Sequence, residues 1–308
     1  MKILITGSSG QLGGSLCHCL TERNEDVVGL SRSLGRCKDL LGISAFRHIP
    51  IDLDDPNPKL GQVIDNGPYD AAIFLAASVS RESDSNGNQS GFNVNVKGHA
   101  QLLEALGQNV KQVIYGSSVT VYGFQTQQPV GEDCQMFPRS DYAATRLAGE
   151  CILEFICRKR GINWVALRIA QVYGPNSPDH LVLYKFLKHT FSGKTPVISV
   201  EPQTKRHYLH LEDYLNGMLA VLGLSGHGVF NLAGPEAVSL RELALQAMKS
   251  AKMEGEPIVD ESQPGYSLEY STKALENATG FRPQISIKTG LQMEAKRLYG
   301  PHINDRAP

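Results

Sequence analysis

Several things are scarce in this sequence. Its 308 residues hold one tryptophan, six cysteines and no long apolar run. Nothing approaches the roughly 20 consecutive apolar residues of a membrane span, so no transmembrane helix is expected. The cysteines (Cys17, Cys19, Cys37, Cys134, Cys151 and Cys157) form no CxxC pair and no cysteine–histidine spacing of a zinc cage. "CHC" at 17–19 sets its thiols two residues apart, which on a helix means different faces. The thiols therefore read as ordinary ones of a reducing cytoplasm, and no metal is expected. An excess of one charge is also missing, since 30 basic and 31 acidic residues leave a formal net charge of −1. That removes any general electrostatic case for nucleic acid or an anionic membrane surface. The opening "MKILITGSSG" breaks into glycine after a few apolar residues, so no signal peptide is expected.

What is present is a rhythm of short apolar runs. "KILIT" (2–6), "DVVGL" (26–30), "FRHIPI" (46–51), "DAAIFLA" (70–76), "KQVIYGSS" (111–118) and "NWVALRIA" (163–170) read as strands. Helical patterns fall between several of them, notably at 94–107 and 141–160. Such alternation predicts an α/β fold: a Rossmann-type doubly wound parallel sheet with helices on both faces. The 141–160 helix is the best defined. Ala144, Leu147, Ala148, Cys151, Ile152 and Phe155 recur at helical spacing, Ser140 or Asp141 can cap its start, and Gly161 suits its stop. After residue 172 proline and glycine become frequent, which predicts a smaller, loop-rich C-terminal substrate domain. The expected division is a dinucleotide-binding domain over 1–172 with a returning segment at 207–234. Residues 173–206 and 235–308 are then the substrate-binding region.

"TGSSGQLG" follows the first strand and opens a helix. Its glycines, Gly7, Gly10 and Gly13, permit a tight turn, close approach of backbone to a pyrophosphate, and close packing of helix on sheet. Helix N–H groups and the helix dipole then meet the phosphate charge. At the end of the second strand an acid would hold the adenosine ribose, but "GLSRS" offers Ser31 and Arg32 instead. An arginine there suits a 2′-phosphate through charge and its planar fork, so NADP is favoured over NAD.

These residues, with "SSVTVYG" (117–123) and "YAATR" (142–146), resemble the extended short-chain dehydrogenase/reductase family, in its nucleotide-sugar epimerase/dehydratase branch. The likeness runs nearly the whole length, through "FLAA" (74–77), "NVNVKGHA" (93–100), "RIAQVYGP" (168–175), "KRHYLHLEDY" (205–214), "FNLAG" and "TGFRP" (279–283). The resemblance implies Tyr142 as acid/base and Ser118 as its hydroxyl partner at the substrate. It puts Gln11 and Leu12 in the glycine loop, Asp52 and Leu53 by the adenine, Ala76 and Ala77 along the cofactor groove, and Arg206 at a substrate diphosphate. It also implies a homodimer through helices such as 94–107 and 141–160.

One position departs from the family's YxxxK: here Arg146 follows Tyr142. A free tyrosine ionises near pH ~10, too high for a base near neutrality. A unit charge ~4 Å away at an effective dielectric of ~20 supplies roughly 4 kcal/mol toward the phenolate. Arginine keeps the charge and changes its shape from a point to a wide fork. Arg146 is therefore expected to serve with Tyr142 at both cofactor and substrate.

The function so implied is NAD(P)-dependent transfer of a hydride to or from a carbonyl or hydroxyl carbon, most of all in a nucleotide sugar. Ketoreductase and epimerase both stand. Val119 and Thr120 occupy the places where dehydratases of the family carry an acidic pair, which disfavours dehydration. The alternative is an NADP(H)-binding sensor or scaffold, for which the arginine at 146 is the main support. No glycine-rich turn precedes Arg206, another departure from the family.

Overall fold

The computed structural model describes residues 1–79, 87–260 and 263–303. The strands in chain order are β1 (Lys2–Thr6), β2 (Asp26–Ser31), β3 (Phe46–Pro50), β4 (Tyr69–Phe74), β5 (Val110–Ser118), β6 (Asn163–Ile169), β7 (Gln171–Tyr173), β8 (Val197–Ile198), β9 (Lys205–His210), β10 (His227–Leu232), β11 (Ala237–Ser239) and β12 (Ile258–Val259). Seven of them make one sheet in the order β10-β6-β5-β4-β1-β2-β3. Every pairing in it is parallel.

Parallel strands buried on both faces need apolar residues in both registers. β1 shows why: Ile3 and Ile5 enter one core layer and Leu4 enters the other. Strand order reverses beside β1, where β2 lies on one side and β4 on the other. The crevice beyond the carboxyl ends of these strands is the natural ligand site of such a sheet. β10, from "GVFNLAG", returns to the far edge beside β6.

Three-stranded β11-β9-β7 and two-stranded β12-β8 sheets form a second layer. Helices Val182–Phe191, Leu240–Ser250 and Ile287–Ile303 cover it. Tyr173, Leu187, Leu243 and Leu291 are among its buried residues. The Asp141–Arg160 helix keeps the limits read from the sequence. Ser140 Oγ accepts the Ala143 N–H at 3.2 Å, and Gly161 takes the left-handed φ of +68° that ends the helix. The helix expected at 94–107 differs. It opens in a π-helical turn, Asn93–Gly98, before α-helix His99–Leu106. The wider turn suits Asn95, whose amide accepts the Ser78 N–H at 3.0 Å and donates to Ser78 O and Thr145 Oγ1.

Candidate functional site

Two adjoining hollows lie at the carboxyl ends of the sheet. The first, of about 480 Å³, is lined by Gly7, Gly10, Gln11, Leu12, Gly13, Ser31, Arg32, Asp52, Leu53, Ala76 and Ala77, with further residues around them. The eleven positions assigned to the cofactor cleft from the glycine loop, the strand ends and the resemblance thus share one cleft. Gly7 has φ +74°, and a Cβ there would stand 2.7 Å from Ala76 N. Only glycine lets β1 turn that closely under the end of β4. The helix Gln11–Glu22 opens at Gly10 with no side chain capping its N–H groups and no acid in its first turn. A pyrophosphate fits that end by charge and by hydrogen bonding.

The walls of the cleft carry less. Arg32 is exposed. Ser31 Oγ donates to Ser33 O at 2.7 Å and also meets Ser8 Oγ and His48 Nε2. Its single proton is thereby committed. Asp52 lies at the cleft edge, where its Oδ1 accepts the Asp54 N–H at 3.0 Å in a local turn.

The second hollow, of about 530 Å³, brings together Ser118, Tyr142, Arg146 and Arg206. It shares Gln11, Leu12, Leu75 and Ala77 with the first, so the two adjoin along a common wall. Three side chains four residues apart on one helix face, Tyr142, Arg146 and Glu150, run along β5. Arg146 is buried and donates to Gly116 O and, at 3.3 Å, to Ala76 O. Its guanidinium lies 4.7 Å over the Tyr115 ring and 5.8 Å from the centre of the Tyr142 ring. Its Nε has no partner. One turn on, the Glu150 carboxylate accepts from Ser117 Oγ and from Arg168. Burial works against the Arg168 charge, but Glu150 outweighs it and raises that guanidinium's pKa.

Ser118 Oγ caps the turn Val119–Tyr122 by accepting from Thr120 N at 3.2 Å and Thr120 Oγ1 at 2.9 Å. With both lone pairs engaged, its own proton is free for another acceptor. Beneath Arg146, Thr6 Oγ1 accepts the N–H groups of Leu75 and Ala76, both at 3.1 Å. Its proton then goes to His99 Nε2, 3.0 Å away, which assigns a neutral imidazole. Burial first, and the Arg146 charge second, push His99 down to about 3.

The sequence reading did not single out His99, Tyr115, Gly116, Thr120 or Glu150 for these roles. A signal existed only for Glu150, at the next helical interval after Tyr142 and Arg146. The others act through contacts between distant segments.

The sequence profile of the NAD-dependent epimerase/dehydratase family matches residues 3–233. A UDP-glucose 4-epimerase of Mycolicibacterium smegmatis is 28% identical over 306 residues, covering 94% of this chain and 96% of the relative. An uncharacterised UDP-glucose epimerase of Bacillus subtilis is 28% identical over 329 residues, covering 97% and 98% of the two chains. Among solved structures, the UDP-glucuronic acid 4-epimerase of Bacillus cereus in complex with UDP-glucuronic acid and NAD superposes with a TM-score of 0.83. It is 25% identical over 100% of both chains.

Proposed function

This chain belongs to the NAD-dependent epimerase/dehydratase family, as an enzyme of the extended short-chain dehydrogenase/reductase type, and we propose that it epimerises a sugar carried on a nucleoside diphosphate. UDP-sugars are the first candidates, since relatives spanning nearly all of the chain carry that activity in their names. The observation that carries the reading is the wall the two hollows share. Tyr142, Ser118 and Arg146 line a cavity that has Gln11, Leu12, Leu75 and Ala77 in common with the glycine-loop cleft.

A nicotinamide dinucleotide, when bound in that cleft, supplies the acceptor and donor of the hydride. The chain's own residues handle the proton and the charge. Tyr142 takes the proton from the substrate hydroxyl as a carbonyl forms and returns it to the same oxygen afterwards. Ser118 donates its uncommitted proton to that oxygen or to the phenolate. Arg146 holds a permanent positive charge 5.8 Å from the phenol ring. The neutral imidazole of His99 adds no competing charge beneath it. Among the described residues no carboxylate lines the cavity, and Arg206 lies in its wall. That charge pattern suits a diphosphate. On this reading residues 1–172 and 207–234 form the dinucleotide-binding domain, which also brings Ser118, Tyr142 and Arg146 to the substrate, while 173–206 and 235–308 form the substrate-binding region.

For the cofactor we infer NAD. The preference for NADP taken from Ser31 and Arg32 finds no support in relatives whose structures hold NAD. Ser31 has no proton left for a 2′-phosphate, and exposed Arg32 remains the one group that favours it. We also infer a homodimer. Ile152 and Phe155, on one face of the Asp141–Arg160 helix, are 39% and 67% exposed. The six free cysteines fit a reducing cytoplasm. Among the described residues no helix is long and apolar enough to cross a membrane.

The test is to incubate the protein and NAD with UDP-glucose and, separately, UDP-glucuronic acid, and to follow the sugar by proton NMR. The 4-epimer of one of them is expected, with no net change at 340 nm. Tyr142→Phe is expected to slow its formation by about 10²–10⁴-fold. An unchanged rate in that variant removes Tyr142 from the chemistry.

A further inference from the structure

From Arg206 and Tyr266 in the wall of the second cavity a row of contacts runs outward to Phe124 and Arg139, which lie outside its lining. Arg206 lies with its guanidinium 4.7 Å from the Tyr266 ring centre. Tyr266 meets Phe124 edge to face, with centroids 4.0 Å apart. Arg139 in turn lies 4.9 Å from the Phe124 ring. Four side chains from three distant segments thus alternate cation, ring, ring, cation. Tyr266 and Phe124 are each 47% exposed.

The charges in this row have no carboxylate partner among the described residues. Elsewhere on the surface Arg158, Arg160, Arg241, Arg282 and Arg297 each meet one. Among the described residues Arg206 donates to the carbonyls of Lys205 and Tyr266. Arg139 is exposed and donates to no group among the described residues. Stacking on a ring fixes the plane of a guanidinium and leaves its N–H edge free for an oxyanion. Two such edges beside two half-exposed rings match a ligand with both a planar base and a phosphate chain.

We propose that Arg139, Phe124 and Tyr266 extend the substrate site beyond Arg206 and hold the nucleoside diphosphate end of the substrate at the cavity rim. The base lies against the Phe124 and Tyr266 rings, and phosphate oxygens meet the guanidinium edges. This rests on the reading of the substrate as a nucleotide sugar. It adds that recognition depends on the segment between β5 and the Asp141–Arg160 helix. Gly123, at φ +60°, turns that segment so that Phe137 N–H donates to Tyr122 O at 3.3 Å. The fold-back brings Arg139 beside Phe124.

The experiment titrates NAD-loaded protein with UDP, uridine and pyrophosphate by calorimetry, for wild type, Arg139→Gln and Phe124→Leu. Arg139→Gln is expected to weaken UDP and pyrophosphate about tenfold and to leave uridine unchanged. Phe124→Leu is expected to weaken UDP and uridine and to spare pyrophosphate. NAD affinity should stay at the wild-type value in both, since neither residue lines the dinucleotide cleft, and this reports that each variant is folded. Wild-type UDP affinity in both variants overturns the inference and leaves the nucleotide-sugar reading standing. Failure of wild-type protein to bind UDP overturns both.

Discussion

The dinucleotide cleft and the substrate cavity meet at Gln11, Leu12, Leu75 and Ala77, yet they are made of different material. The cleft is mostly backbone: a glycine turn, an uncapped helix end and the tips of neighbouring strands, drawn from the first 94 residues. The cavity is mostly side chains. It takes Ser118 from the end of β5, Tyr142 and Arg146 from a helix, Arg206 from β9 and Tyr266 from a late loop. A backbone site tolerates substitution of its exposed side chains. A side-chain site depends on the network that fixes each rotamer.

That difference is open to perturbation. The largest effect is expected at Glu150, whose carboxylate ties Ser117 and Arg168 beneath the cavity. Glu150→Ala leaves a buried guanidinium without its counter-charge and should cost about 3–5 kcal/mol of stability. Urea denaturation measures it. The dinucleotide affinity of the protein that remains folded should move less than twofold, because no part of the cleft rests on this pair.

His99 stands below both hollows and should give the next effect. Its folded pKa of about 3 lies below the ordinary imidazole value. Below pH ~6.5 the unfolded chain therefore binds a proton that the folded chain refuses, and stability falls with pH. The contribution is fully present above the unfolded pKa and is lost as pH drops from there toward 3. Between pH 7 and pH 5 the native protein should lose about 2 kcal/mol more than His99→Leu does, at about 1.36 kcal/mol per pH unit. Equal losses would remove His99 as the acid-sensitive group.

The smallest effect is expected at the cleft mouth. Arg32→Asp should weaken NADPH by about tenfold and change NADH little, near the upper end of what one exposed charge contributes. Equal effects on both would take Arg32 away from the 2′-phosphate position.

The same contrast explains what could be read from the sequence. The cleft residues fell within short motifs because backbone geometry demands particular residue types at fixed local spacing. The strands of the sheet and the Asp141–Arg160 helix were legible from apolar periodicity and capping. The π-turn at Asn93–Gly98 was not, since it follows the Asn95 contacts with Ser78 and Thr145. The Arg139, Phe124, Tyr266 and Arg206 row was hidden for the same reason. Phe124 and Tyr266, more than a hundred positions apart, meet there only after folding, and no local pattern requires the row. Arg146 was legible as a departure from a motif. Its support by Gly116, Ala76 and the Tyr115 ring was not.

The account turns on whether the guanidinium at 146 supplies the charge that the tyrosine needs. The direct measurement is single-turnover reduction of bound NAD by the UDP-sugar, followed at 340 nm from pH 6 to pH 10, in wild type, Arg146→Lys and Arg146→Met. Removal of that charge should slow Arg146→Met by about a hundredfold near neutrality, the scale of losing one preorganised electrostatic contact at the reacting group. Arg146→Lys should stay within about tenfold of wild type. An Arg146→Met protein with the wild-type rate and profile would contradict the account.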